Sequence, residues 1–203
     1  MDILFLLGDK NMKSIRSICV FCGSNTGYDE NYKKITIELA DYLAVHHYRL
    51  VYGGGRLGLM GVLGNEMLNK GGDVLGVIPK VLVNEKLARI PNDKIITTAD
   101  ISERKQYMLD ASDAFIALPG GFGTFEEFFT MLSWSQINLH QNPLALLNVD
   151  GFYEPLIQLL NQAAEAGFAP KENLDLFVTA KHIPELFEKM GSFRHTQPTK
   201  WTN

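Results

Sequence analysis

The stretch "SDAFIALPGGFGTFEEFF", residues 112–129, joins a short apolar run to an amphipathic run through a glycine-rich turn. The apolar run at 114–118 has the length of a buried strand, and the pattern at 125–138 has the period of a helix. A strand, a tight turn and a helix in this order are typical of a βαβ unit in a parallel sheet. The stretch therefore predicts an α/β fold.

The same alternation continues along the chain. Apolar runs predict strands at 17–22, 49–52, 73–78, 94–98, 114–118, 144–147 and 177–179, and amphipathic patterns predict helices at 31–45, 59–69, 102–111, 125–138, 153–166 and 183–190. We predict a Rossmann-like, doubly wound parallel sheet with helices on both faces. One domain is expected over residues 17–190, between an N-terminal extension (1–16) and a polar C-terminal tail (191–203) that we expect to be mobile.

The composition is that of a globular protein with a sizeable core, since 46% of the 203 residues are hydrophobic and 21% are charged. A formal net charge of -4 argues against a general nucleic-acid or membrane-surface binder. The apolar run near the start is too short to span a bilayer and lacks the positive charge of a signal peptide. We therefore expect a cytoplasmic protein without a nucleic-acid or membrane partner.

Cys19 and Cys22 form a C-x-x-C pattern, which raises the question of a redox or metal site. Both fall in an apolar run predicted as a buried strand, where an odd spacing sends the two side chains to opposite faces. We therefore expect two core cysteines. The five histidines show no recognisable ligand spacing, so no metal site is expected.

Glycine-rich turns follow several predicted strands: "CGSNTG" the first, "YGGGRLGLMG" the second and "LPGGFGTFEE" the fifth. In open parallel sheets the carboxyl ends of the strands border the ligand crevice. Free N–H groups in such turns can bind a phosphate, helped by the positive end of the following helix. The alternative is that the glycines only allow tight turns. Neither a complete dinucleotide motif with its ribose-binding acid nor a P-loop is present.

Charged residues stand beside these turns. Thr124 and Glu127 form T-x-x-E, the pattern of a capping box in which Thr124 caps the helix and Glu127 reaches back to it. The alternative is that Glu127 has a functional role. Glu126 is not part of this box, although an acid in the first turn also suits the helix dipole. Arg104 and Lys105 begin an upstream helix, where the helix dipole favours acids instead. They either belong to a solvated face or neutralise a phosphate or a leaving group.

Taken together, "VFCGSNTG", "LVYGGGRLGLMG", "GVIP", "RKQYM", "SDAFIALPGGFGTFEEFF" and "LSWSQINLHQNPLALLNVDGFY" resemble, in order and spacing, the LOG ("Lonely guy") family over roughly residues 17–190. The resemblance implies a Rossmann-like homodimer that hydrolyses the N-glycosidic bond of N6-substituted AMP to free base and ribose 5-phosphate, without a cofactor. Many members carry the label lysine decarboxylase. No pyridoxal-phosphate lysine motif in this sequence supports that label.

The resemblance also implies which residues form the site. Arg104 and Glu127 are the expected catalytic residues, and 121–124 are expected to hold the phosphate. The expected substrate-binding residues lie in the glycine turns, in the loop after the third strand or on the bordering helices, and they are Gly23, Ser24, Gly53, Gly54, Gly55, Glu85, Lys105, Met108, Gly120, Gly121, Phe122, Gly123, Thr124, Phe125, Glu126 and Ser133.

Cleavage of a bond from ribose to nitrogen builds positive charge on the sugar. We therefore hypothesise that Glu127, with Glu126, stabilises this charge or activates water, while Arg104 assists the departing purine. Two alternatives are an AMP nucleosidase acting on plain AMP and a nucleotide-sensing module that does not cleave. The surplus of apolar residues in "FFTMLSWSQINL" is consistent with a homodimer surface.

Overall fold

The computed structural model describes residues 15–83 and 94–196. Within these ranges seven strands form one parallel sheet: β1 (Ser17–Phe21), β2 (Arg49–Tyr52), β3 (Val74–Pro79), β4 (Ile95–Thr98), β5 (Ala114–Ala117), β6 (Leu144–Leu147) and β7 (Val178–Ala180). The helices between them are α1 (Glu30–Val45), α2 (Gly58–Asn69), α3 (Ile101–Asp110), α4 (Phe122–Gln136), α5 (Glu154–Glu165) and α6 (Ile183–Ser192). The predicted Rossmann-like fold is confirmed.

Helices cover both faces of the sheet and create two apolar clusters. One cluster contains residues of α1, α2 and α6, such as Leu39, Leu63 and Leu186. The other contains residues of α3 and α4, such as Met108 and Phe128, with part of α5 packed against it. Because the central strands are buried on both faces, they are almost continuously apolar, as expected of a parallel sheet.

The strand order is β4-β3-β2-β1-β5-β6-β7. The chain proceeds outward from β1 through β2, β3 and β4, and then returns to the other side of β1 with β5. The loops that leave β1 and β5 therefore run to opposite faces, although the two strands are paired from Ile18↔Ala114 to Phe21↔Ala117. Such a switch point leaves a crevice at the carboxyl ends of the strands, where open α/β sheets bind ligands.

The two cysteines lie on opposite faces of the sheet, as their spacing predicted. Cys19 is buried in the cluster beneath α3 and α4, and Cys22 is buried in the cluster beneath α1 and α2. Both are free thiols. Burial raises the pKa of each well above its ordinary value, so both remain protonated core side chains.

The predicted element bounds agree with the observed ones to within two residues, with one exception. The fourth helix was predicted to begin at 125 and begins at Phe122. Beyond α6 the chain returns to α4, since His195 Nε2 lies 3.1 Å from Ser135 Oγ. Among the described residues no helix is both long enough and apolar enough to cross a membrane.

Candidate active site

Three glycine-rich turns meet at the switch point. Gly23, after β1, donates its N–H to Pro119 O at 3.1 Å, and Met60, in the first turn of α2, donates its N–H to Gly23 O at 3.3 Å. The approach between the β1 and β5 turns needs glycine, because a Cβ added to Gly120 would lie 2.9 Å from Gly23 N. These contacts build one continuous backbone wall at the crevice.

Helix α4 opens directly from this wall. Its N-cap is Gly121, and no side chain of the described residues caps the helix there. Gly121 and Gly123 border open space, since a Cβ added to either would have no described heavy atom within 4 Å apart from its chain neighbours and the backbone of its own helix. An open helix start presents unpaired N–H groups and the positive end of the dipole, which together suit an anion such as phosphate.

The capping box predicted for Thr124 and Glu127 is wrong. Because α4 begins three residues before Phe125, Thr124 lies inside the first turn instead of at the cap. Its side chain is only 4% exposed and fits against Gly120, where an added Cβ would lie 2.1 Å from Thr124 Oγ1. Glu127 is consequently one turn further along than the capping box requires, and its carboxylate has another partner.

That partner is Arg104 of α3. Arg104 Nη2 lies 2.8 Å from Glu127 Oε1, and the two side chains are only 14% and 10% exposed. A buried ion pair of this kind is costly to desolvate and does not by itself indicate a gain in stability. Its position beside the glycine wall makes it the principal candidate for chemistry.

A hydrogen bond and the space beside a glycine determine where the Arg104 guanidinium lies. Its Nε donates to Val77 O, near the end of β3, at 3.0 Å. A Cβ added to Gly53 would lie 2.6 Å from Arg104 Nη2, so Gly53 leaves the space that the guanidinium occupies. Among the described residues, Val77 O and Glu127 Oε1 thus occupy two of the five N–H donors of Arg104, and three can face a ligand.

Burial raises the pKa of Glu127 above its ordinary value, while the adjacent Arg104 lowers it and the Glu126 carboxylate raises it further. The net direction is upward, because desolvation outweighs the cation. A carboxylate with a raised pKa accepts a proton more readily near neutral pH than an exposed glutamate does. Glu127 therefore has the property that a general base requires.

A second ion pair lies on the outer side of the first. Lys105 Nζ contacts Glu126 Oε1 and donates to Thr130 Oγ1 at 3.2 Å. Thr130 in turn donates to Glu126 Oε1 at 3.2 Å. The side chain of Glu126 is 49% exposed. Arg104 and Lys105 are thus not a free solvated face, because each pairs with one of the two adjacent glutamates of α4.

The capping arrangement that the sequence suggested for α4 occurs at α3 instead. Asp100 is the N-cap, and its Oδ1 accepts from Glu103 N at 2.8 Å, while Glu103 Oε2 accepts from Ala99 N. These two acids satisfy the helix start and its dipole. Because their negative charges offset the unfavourable interaction of Arg104 and Lys105 with the helix dipole, α3 can carry these two cations near its start.

The remaining predicted residues are less uniformly placed. Ser24 is exposed in the β1 turn, and Phe122 is 90% exposed at the start of α4. Met108 is 1% exposed and belongs to the core cluster beneath α3 and α4. Ser133 is exposed on the same helix face as Glu126, about two turns further along. Glu85 lies outside the described residues.

Sequence reasoning missed three residues that support this site. Val77 holds Arg104, Thr130 holds Glu126 and Lys105, and the hydroxyl of Tyr153 donates to Leu118 O at 2.6 Å, next to the glycine turn. Two of these contacts use a backbone carbonyl, which no motif encodes. Thr130 could have been predicted from the sequence, because it lies four residues after Glu126 and therefore on the same face of the helix.

Comparisons with known proteins identify the family. The family model described as "possible lysine decarboxylase" matches residues 60–190. The LOG5 cytokinin riboside 5'-monophosphate phosphoribohydrolase of Arabidopsis thaliana is 40% identical over 88% of this chain and 78% of its own. The probable enzyme LOGL1 of Oryza sativa subsp. japonica is 43% identical over 87% of this chain and 79% of its own.

A solved structure shares the fold at lower identity. The molybdenum cofactor binding protein of Rippkaea orientalis has a TM-score of 0.62 and 23% identity, covering 87% of this chain and 94% of its own. The molybdenum cofactor carrier protein of Chlamydomonas reinhardtii has a TM-score of 0.59 at the same 23% identity, covering 82% and 90%. At this identity the likeness concerns the fold alone.

Proposed function

This chain belongs to the LOG family of cytokinin riboside 5'-monophosphate phosphoribohydrolases, and we propose that it hydrolyses the N-glycosidic bond of an AMP-type nucleotide. The products are the free base and ribose 5-phosphate. The observation that carries this proposal is the buried Arg104–Glu127 pair, at 2.8 Å, beside the open start of α4. A cation, a carboxylate and an anion-binding turn in one crevice suit a phosphorylated sugar.

The substrate phosphate binds the first N–H groups of α4. Gly121 and Gly123 border open space there, so that a phosphate can approach the backbone closely. Glu127 lies in the second turn of the same helix, and its carboxylate faces the ribose instead of the phosphate. Gly23 and the turn at 53–55 border the rest of the nucleotide.

In the reaction the bond between the ribose C1' and the purine nitrogen breaks, and its electron pair leaves with the purine. Glu127 stabilises the positive charge that develops on the ribose and accepts a proton from the attacking water. The water oxygen forms the new bond to C1'. Arg104 stays protonated and stabilises the departing purine through its remaining N–H groups. The purine nitrogen then takes up the proton that Glu127 accepted from water, which releases the neutral base and leaves Glu127 ionised for the next turnover.

Glu126 has a different role in this proposal. Its carboxylate is half exposed and is held by Lys105 and Thr130. It contributes negative charge near the ribose, but Glu127 is the carboxylate that touches the reacting atoms. Phe122, at the start of this face, borders the phosphate, and Ser133, further along it, borders the region where an N6 substituent would extend.

We also propose a homodimer in the cytoplasm, with residues 17–190 as its single catalytic domain and without a cofactor. Exposed apolar side chains on α4 and just after it support a partner surface: Phe129 is 39% exposed, Ile137 48% and Leu139 62%. A nucleotide substrate supports a cytoplasmic location, because its charged phosphate crosses a bilayer poorly and the nucleotide therefore stays inside the cell.

Incubation with AMP and with isopentenyl-AMP, followed by chromatography, tests the proposed reaction. Release of isopentenyladenine and ribose 5-phosphate is the expected result. Release of adenine in preference would indicate a plain AMP nucleosidase. Nucleotide that binds and stays intact would indicate a sensing module. Lysine serves as the control substrate, and we expect no amine product from it.

A further inference from the structure

The turn between β5 and α4 is fixed by hydrogen bonds on both sides of Leu118. Leu118 N donates to Phe21 O at 2.9 Å, and the next carbonyl, Pro119 O, accepts from Gly23 N at 3.1 Å. Leu118 O itself accepts from the hydroxyl of Tyr153 at 2.6 Å. Of these three bonds, only the last comes from a side chain. A single atom can therefore be removed to test how the turn is held.

Tyr153 is rigidly placed for this contact. It is 1% exposed, and its N–H donates to Asn148 Oδ1 at 2.8 Å. Asn148 is in turn fixed at the end of β6, because its N–H donates to Ala180 O at 2.8 Å. Burial raises the pKa of Tyr153 far above its ordinary value, so its hydroxyl remains a hydrogen-bond donor.

The ring of Tyr153 reaches the other end of the turn. It meets the ring of Phe125 edge-on, with centroids 6.4 Å apart and an interplanar angle of 69°. Phe125 lies in the first turn of α4, and its N–H donates to Gly121 O at 3.1 Å. Tyr153 thus contacts Leu118, before the glycines, and Phe125, after them.

We infer that Tyr153 is a positioning residue for the phosphate-binding turn. Its hydroxyl fixes Leu118 and its ring fixes Phe125, so that the N–H groups between them keep the arrangement that a phosphate requires. The inference rests on the proposed function in taking a sugar phosphate as the ligand. Tyr153 acts on phosphate binding and not on bond cleavage, because its described contacts include neither Arg104 nor Glu127.

The substitution Tyr153→Phe removes one oxygen atom and keeps the ring. It leaves the buried Leu118 carbonyl without its hydrogen-bond donor. The turn then shifts from the arrangement that binds phosphate, and the loss of one hydrogen bond corresponds to about tenfold weaker binding. Calorimetry should therefore show about tenfold weaker binding of ribose 5-phosphate and unchanged binding of free adenine. Turnover at saturating nucleotide should stay within about threefold of wild type, with KM raised.

The matched control is Tyr52→Phe, which removes the hydroxyl of a tyrosine that is 3% exposed on the opposite face of the sheet. We expect it to bind ribose 5-phosphate as the wild type does. Phe125→Leu removes the ring contact from the other side and should weaken ribose 5-phosphate binding in the same direction. This second variant decides the question if Tyr153→Phe does not fold.

Unchanged ribose 5-phosphate binding in folded Tyr153→Phe would overturn the inference. Equal weakening of adenine binding, or the same loss in Tyr52→Phe, would do so too, because either result indicates a general loss of structure. A wild-type protein that does not bind ribose 5-phosphate also overturns it. A wild-type protein that binds ribose 5-phosphate but cleaves no nucleotide overturns only the proposed reaction, and the Tyr153→Phe comparison still applies.

Discussion

Glu126 and Glu127 are neighbours in sequence and have different surroundings. Glu127 points toward Arg104, with its side chain 10% exposed, whereas Glu126 points toward Lys105 and is 49% exposed. Successive helical residues are separated by about 100° around the axis, so adjacent carboxylates can meet different partners. Burial raises the pKa of Glu127, whereas about half of the Glu126 side chain is in contact with solvent.

The pH dependence of kcat/KM should reflect Glu127. Its ionised form is the active one in the proposed reaction, and its pKa is raised, so activity should fall with decreasing pH at a value above the roughly 4.3 of an ordinary glutamate. Glu126→Gln removes a nearby negative charge and should therefore move the acidic limb of the pH profile, where activity falls with decreasing pH, to lower pH. Removing a nearby positive charge with Lys105→Met should move it to higher pH. A limb that shifts in the same direction in both variants would contradict this assignment.

The sequence predicted Arg104 and Glu127 as residues of one site only through the family resemblance, and it did not predict that their side chains pair. The residue types and their unfavourable position at a helix start were visible, but the 2.8 Å contact depends on how α3 approaches α4 across the sheet. Local spacing carries no information about that approach. The space left by Gly53 for the guanidinium is another tertiary feature.

Helix α4 joins the phosphate-binding turn to the ion pairs, and its start determines where both lie. The strand, the turn and the helix were predictable from the apolar pattern and the glycines. The first residue of the helix was not, because T-x-x-E at 124–127 offered a plausible cap three residues too late. The observed start at Phe122 depends on the packing of Thr124 against Gly120, which brings the β1 and β5 turns together.

Alanine substitutions at the glycines of this turn should therefore differ in their effect on the free energy of unfolding. Gly120→Ala would place a Cβ 2.1 Å from Thr124 Oγ1, so we expect a loss of about 1–3 kcal/mol in the free energy of unfolding. In Gly123→Ala the added Cβ meets no described atom within 4 Å outside its chain neighbours and its own helix backbone, and the residue lies in the helix, so stability should rise by up to about 1 kcal/mol.

Thermal unfolding measures the stability difference between these two variants, at roughly 2–4 °C per kcal/mol for a chain of this size. Ribose 5-phosphate binding should weaken in Gly123→Ala despite its stability, since the added methyl group occupies the open space of the turn. Gly123→Ala with full affinity for ribose 5-phosphate would place the phosphate elsewhere.

The complete sheet brings distant turns to one crevice, and the surface beside this crevice carries exposed apolar side chains. The α/β class, the strand positions and the crevice edge were all predictable, because each rests on periodicity or on the rule for parallel sheets. The strand order around the switch point could not be read from local patterns. It determines that the turns after β1 and β5 are neighbours.

The proposed homodimer can be tested through Phe129, which is 39% exposed on α4. Phe129→Asp should convert a dimer of 22.7 kDa chains to monomers, because it places a charge in an apolar interface. Light scattering measures the mass, and Leu159→Asp, at a residue that is 58% exposed on α5, is the matched control. A wild-type protein with the mass of one chain in light scattering would contradict the proposed homodimer.

The most direct test of the proposed reaction compares Glu127→Gln with Glu126→Gln. Both variants remove one charge, at adjacent positions, and both keep the shape of the side chain. With isopentenyl-AMP as substrate, Glu127→Gln should lower kcat by on the order of a hundredfold or more, whereas Glu126→Gln should lower it less than about tenfold. The wild type should release base and ribose 5-phosphate in equal amounts. Turnover of Glu127→Gln close to that of the wild type would contradict the assignment of Glu127 as the catalytic carboxylate.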